Sequence, residues 1–401
     1  MNTLNLGNNN IDISQAKHFF ENSSNIHTLI LCNCLFHDSF ALLAYCYKRH
    51  RTLRTLDLSD NSTNHSLQSL VTLLSSNTGL QELNIENNKI AFDMRLKSFR
   101  SLKHYSLHAL NINGIQHSKE DFIVSFIRVC INLRKLYCSA NNINDDQIFK
   151  LQSLFKNIQV LDLSNNLISS SSVKTLSYSF GPKNLKTLKL SGNSINDDSL
   201  IILLDSLQSC YRLKCLDIGY NKISSEGIAA LSVFFKKHPY LSHIDLSGSS
   251  MSEESADMLG ESLSTCLDLE VLHINDLSVD NTAGIISIVY GFRALQKLQH
   301  LSFGANINES VLLVLSFSLK EACSLQKLEL IAKPNYPQFY HSPYGKTFGE
   351  SYRHMETFLK SLQSCAIFKV LTLRSISPVH HSNYDFEIVS DKLESYEDYD
   401  Y

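Results

Sequence analysis

Apolar residues recur along this chain in an eleven-position pattern, L-x-x-L-x-L-x-x-N-x-L. Leu133, Leu136, Cys138, Asn141 and Ile143 fill it, and so do Ile158, Leu161, Leu163, Asn166 and Ile168. The pattern opens at Met1, Ile26, Leu53, Leu80, Leu107, Leu133, Ile158, Leu185, Leu213, Leu241, Leu269, Leu298, Leu325 and Phe368. Twelve successive steps measure 25 to 29 residues and the last measures 43. A rival fifth opening at Leu102 with Tyr105 is less regular than Leu107, whose spacings are 27 and 26. Each opening alternates apolar and polar residues, the period of a strand with one buried face. The spacing then turns helical, with Ile201, Leu204 and Leu207 in one unit and Ile228, Leu231, Val233 and Phe234 in another. Polar caps followed by acids, Asn144-Asp-Asp, Asn196-Asp-Asp, Ser224-Ser-Glu and Ser252-Glu-Glu, mark the helix starts.

One strand–helix unit cannot bury its apolar face alone, and stacking the units makes a continuous core. These residues resemble the leucine-rich repeat superfamily over nearly the whole chain. The step length and helical segments look like its ribonuclease-inhibitor-like type. Nucleotide-sensing immune receptors and the activator of the Ran GTPase carry similar arrays. The resemblance implies an α/β solenoid, a leucine-rich repeat horseshoe of about 14 repeats with a parallel inner sheet and outer helices. It also implies that the turn asparagine bonds backbone groups and links neighbouring repeats. Asn61, Asn88, Asn141, Asn166, Asn193, Asn221 and Asn306 would form this structural ladder. Ile115, Ser249, Leu277, Lys333 and Ile376 depart from it, and of these Ser249 can still hydrogen-bond.

The solenoid is expected over residues 1–379, with an irregular Tyr- and Pro-rich insert at about 333–355 where the step lengthens to 43. Tyr336, Phe339, Tyr340 and Tyr344 in that insert either cover the last repeats or meet a partner, since aromatic rings are interface anchors. Gly345-Lys-Thr347 is not a phosphate loop, because Tyr340 stands where the first glycine is needed. Residues 380–401 form an acidic, Tyr-rich tail.

Composition narrows the function further. With 36 basic and 39 acidic side chains, the net charge of −3 argues against nucleic acid, which is bound by neutralising phosphates. The start carries no basic head or long apolar run, and no stretch approaches the roughly 18 apolar residues that span a bilayer. Among the ten cysteines, Cys130, Cys210, Cys266 and Cys365 each precede an opening by three residues, which reads as a recurring buried slot. Structural thiols in a reducing cytoplasm follow.

Template positions three, five and seven should project from the inner wall. Position five includes Tyr137, Asp162, Lys189, Asp217, Asp245 and His273, and position three adds His243 and His300, with Tyr220 nearby. Asp217, His243, Asp245, His273 and His300 suggest a polar or pH-tuned recognition patch. Their spread over four strands argues against a compact metal site. Basic residues including Arg54, Lys103, Arg128 and Arg134 fall near helix ends, whose dipoles they complement. No catalytic motif emerges. The expectation is a non-enzymatic scaffold or recognition module without metal or cofactor. It would be monomeric alone and grip a folded protein through the inner wall and the 333–349 loop. By resemblance, the alternatives are a small-GTPase regulator like the Ran activator, or a pathogen effector or immune-receptor-like recognition protein.

Overall fold

The computed structural model describes residues 2–11, 25–34, 52–61, 64–91, 103–117, 122–180, 184–320, 324–332, 370–375 and 384–389, together with Leu43 and Phe358. It contains two compact units, residues 1–193 and 194–401. In the first, strands Thr3–Asn5, Thr28–Ile30, Thr55–Asp57, Glu82–Asn84, Ala109–Asn111, Lys135–Tyr137, Val160–Asp162 and Thr187–Lys189 pair in that order, all parallel. In the second, Cys215–Asp217, His243–Asp245, Val271–Ile274, His300–Ala305, Lys327–Ala332 and Val370–Ser375 do the same. Each of these strands begins two residues after an opening of the pattern, which also settles Leu107 as the fifth.

The register sets leucine beside leucine from strand to strand, and the middle residue of most strands is buried while its neighbours are half-exposed. Helices alternate with the strands: Leu67–Ser76, Phe122–Val129, Asp145–Leu151 and Ser170–Ser179 in the first unit. The second has Asp197–Leu207, Ser225–Lys237, Glu253–Leu263, Thr282–Gly291 and Glu309–Lys320. Within each unit, parallel strands thus alternate with helices as the repeat pattern implied. Asn144 and Asn196 head capping boxes, and Ser252 accepts the Ser255 N–H. The Ser224 hydroxyl instead donates to Asp197 of the preceding repeat. Val233 departs from expectation: five residues past Ile228, it lies off the buried stripe and is exposed.

Two polar ladders hold the turns. At template position nine, the Asn166 amide donates from Nδ2 to the carbonyls of Cys138 (2.9 Å) and Leu163 (3.0 Å). Its Oδ1 accepts the N–H groups of Ile143 (2.9 Å) and Asn141 (3.1 Å). Asn61, Asn88, Asn141, Asn193 and Asn221 make equivalent bonds. Where the asparagine is missing, the buried Ser249 hydroxyl donates to the Leu246 carbonyl (2.7 Å) and the Cys34 thiol to that of Leu6 (3.2 Å). At position eight the backbone turns left-handed in eleven successive repeats, from Asn8 (φ 61°) to Asp276 (φ 53°). Asn, Asp and Gly tolerate this conformation best and fill most of these places. Asn33 and Asn87 also donate to Asn8 and Asp60 of the repeat before.

Asn306 is not part of the ladder. Among the described residues of its repeat none is left-handed: His300–Ala305 continues as a six-residue strand through the turn position, pairing Ala305 with Ala332. The Leu277 N–H that a turn asparagine would have taken is spent on the Gly304 carbonyl (2.9 Å), and Asn306 stands exposed.

Within the expected tail, Tyr384–Val389 runs antiparallel to Val370–Ser375 and adds a strand to the second unit's sheet. Cys130, Cys210 and Cys266 are buried as the slot pattern implied, and burial pushes their thiols up, Cys266 to about 12. Cys365 and the 333–355 insert lie outside the described residues. Among the described residues, no helix is long and apolar enough to cross a membrane.

Candidate functional site

The half-exposed side chains at strand positions three and five form rows because the parallel register is unbroken within each unit. In the first unit, Tyr137, Asp162 and Lys189 stand side by side at position five. In the second, the position-five row reads Asp217, Asp245, His273, Ser302, Glu329. The candidate residues therefore divide between two separate units. Tyr336, Phe339, Tyr340 and Tyr344 lie outside the described residues.

Several of the acids serve the fold as well as the surface. The Asp162 carboxylate accepts the Ser164 N–H (3.0 Å), Asp217 that of Gly219 (3.3 Å) and Asp245 that of Ser247 (2.9 Å). An aspartate binding the backbone two residues on closes a turn. Asp245 has a second partner, the His273 ring, with Nδ1 3.5 Å from Oδ2. Burial opposes ionisation of Asp245, yet the bonds from His273 and Ser247 outweigh it and hold its carboxyl below the ordinary range.

His243 and His300 do not join this pair as one cluster. His243 lies opposite Val271, and Val271 lies opposite His300, so an apolar residue separates the two imidazoles in the position-three row. His243 bonds the neighbouring Ser242 hydroxyl (2.8 Å) and His300 is exposed. Among the described residues, no group of three or more His, Cys, Asp or Glu is arranged to hold a metal ion.

Tyr220 organises the second unit's surface. It takes the left-handed turn position (φ 50°), and its ring extends across Gly248, the corresponding residue of the next repeat. A Cβ at Gly248 would come within 2.9 Å of that ring, so only glycine leaves room. The phenol reaches the following repeat and donates to Asp276 Oδ2 (2.9 Å). Burial pushes this phenol up to about 12, reinforced by the bond to Asp276 and the charges of Asp276, Asp245 and Glu329. The residue as a whole nevertheless remains 50% exposed.

Adjacent polar groups are tied together as well. The Ser247 hydroxyl accepts the Asn275 N–H (3.1 Å), and the Ser302 hydroxyl lies 2.9 Å from Asn275 Oδ1 and 3.0 Å from Glu329 Oε2. Positions three and five alone do not reveal Asp276, Gly248 or Asn275. The signal for them was the spacing itself: Gly at 28 and Asp at 56 residues beyond Tyr220.

Comparisons with known proteins agree with the repeat. Family profiles described as Leucine Rich repeat match residues 181–203 and 213–232, and another matches 157–178. The human NACHT, LRR and PYD domains-containing protein 13 is 24% identical over 299 residues, which cover 64% of this chain and 29% of that protein. The human NACHT, LRR and PYD domains-containing protein 5 is 26% identical over 289 residues, 70% of this chain and 22% of that protein. The chain thus spans less than a third of either relative. An internalin from Listeria monocytogenes str. 4b F2365 superimposes with a TM-score of 0.47 at 20% identity, over 71% of this chain and 70% of that one.

Proposed function

Taking as premise that the chain is a leucine-rich repeat protein, we propose that it is a recognition module that binds a folded protein by surface contact, without chemistry of its own. The observation carrying this reading is the Tyr220 platform on the strand-lined face of the second unit. A half-exposed aromatic ring is locked by Asp276 and set beside the Asp245–His273 pair. Aromatic residues dominate interface energetics, and a side chain already fixed in place loses little entropy on binding. Charged and polar neighbours around such an anchor supply orientation and partner choice.

The test is capture of partners from native cells by the full chain, identified by mass spectrometry, followed by titration of each purified partner. The double variant Tyr220→Ala, His273→Ala should weaken the genuine partner at least about tenfold, with the unfolding midpoint within scatter of the parent. A partner that binds both proteins equally well refutes this face as the site. If deletion of residues 335–350 alone abolishes binding, the insert is the site instead.

A further inference from the structure

The first unit carries a groove on the rim where chain returning from the helices enters the strands, away from strand positions three and five. Its volume is about 730 Å³, within the range of ligand sites. Ser106, Asn132, Asn157 and Asn184 line it, each the residue immediately before a repeat opening. His108, Arg134 and Gln159, each one residue after an opening, line it too. The repeat therefore places polar side chains in two rows across four coils.

Their bonding leaves capacity for a ligand. Asn132 donates from Nδ2 to the Tyr105 carbonyl (2.7 Å) and Asn184 to that of Lys156 (3.4 Å), leaving both Oδ1 atoms as acceptors. Among the described residues, the side-chain amides of Asn157 and Gln159 have no hydrogen-bond partner, and Arg134 has no carboxylate partner. His108 is the exception, with Nε2 3.7 Å from Glu82 Oε1. Tyr105, 61% exposed, offers an aromatic face at one end.

We infer that this groove binds an extended peptide segment bearing an acidic side chain. A carboxamide both donates and accepts, which matches the alternating N–H and C=O groups of an extended main chain. Four strands spaced about 4.8 Å apart span about 14 Å, the length of about four residues of extended chain. The Arg134 guanidinium suits a carboxylate, which it can bind in bidentate fashion. Such a site is independent of the Tyr220 face and requires no second copy of the chain.

The experiment selects random displayed heptapeptides on the full chain and measures the recovered sequences by fluorescence anisotropy. The expected peptides are enriched in Asp or Glu. Arg134→Gln should weaken them about tenfold, and replacing the peptide's own acid by its amide should cost the parent the same but cost the Arg134 variant nothing further. Asn157→Ala with Gln159→Ala should weaken binding with an unchanged unfolding midpoint, whereas Tyr220→Ala with His273→Ala should leave it intact. Recovered peptides without acidic enrichment would overturn the inference, as would full binding by the groove variants. Retention of a neutral oligosaccharide by these residues, without peptide enrichment, would equally overturn it.

Discussion

Asn166 and Asn306 stand at the same template position, the first followed two residues later by the buried Ile168 and the second directly by the buried Ile307, yet they live in different structures. Asn166 is buried and makes bonds to five backbone groups of its own and the preceding repeat. Asn306 is exposed, because the chain before it stays extended and pairs with Lys327–Ala332. The difference lies one residue earlier. Asn165 turns left-handed (φ 53°) and breaks the ladder, whereas Ala305 remains in it. A turn asparagine therefore works only when its own repeat stops pairing and the preceding repeat leaves N–H groups unclaimed.

The largest effect should come from removing each side chain in turn. Asn166→Ala leaves buried donors and acceptors unpaired and should cost about 3 kcal/mol in denaturant unfolding. Asn306→Ala should change stability by no more than about 0.5 kcal/mol. Equal losses would erase the distinction between the two turns.

A smaller effect with opposite signs sharpens the comparison. Ala140 holds a left-handed conformation (φ 54°) that costs a residue with a Cβ about 1 kcal/mol. Ala140→Gly should therefore stabilise the chain by about that amount. Ala305 lies in a strand, where Ala305→Gly should destabilise by about 0.5–1 kcal/mol. Matching signs in melting or denaturant curves would contradict the assigned backbone conformations.

The least pronounced effect is expected on acidification. His104 is buried, donating from Nε2 to the Asn77 carbonyl (3.0 Å) and accepting the Leu107 N–H at Nδ1 (3.2 Å), so it is held neutral. Buried His238 stacks on Phe234. Burial pushes both imidazoles below their ordinary value. The unfolded chain then takes up protons near pH about 6.5 that the folded chain does not. Their contribution is complete above that pH and lost as pH falls through it, so the denaturant midpoint should be lower at pH 5 than at pH 7.5. In hydrogen exchange, the Leu107 region should loosen before His300–Ala305. A flat pH profile would rule out the buried, neutral histidines.

The periodicity of openings was enough to place the parallel strands from Thr3–Asn5 to Val370–Ser375, because a buried leucine in most coils leaves little freedom of register; it did not announce Tyr384–Val389, which follows no opening. Asn306 was misread from the same pattern because its fate depends on Ala332, the paired residue of the next repeat, and not on its own template. The surface was less legible still. Asp162, Asp217 and Asp245 were recognisable as projecting residues, but their turn-closing bonds arise from local backbone geometry. Tyr220 acquires its role from Gly248 and Asp276, residues in two later coils. The groove beside Arg134 depends on residues flanking the openings, which the eleven-position template does not describe.

Amide hydrogen exchange of the parent, Asn166→Ala and Asn306→Ala proteins tests the turn ladder most directly. The Ile143 N–H, bonded to Asn166 Oδ1, should lose its protection in Asn166→Ala, while the Leu277 N–H, bonded to the Gly304 carbonyl, should keep its protection in Asn306→Ala. Undiminished protection at Ile143 would contradict the account, and so would a loss at Leu277.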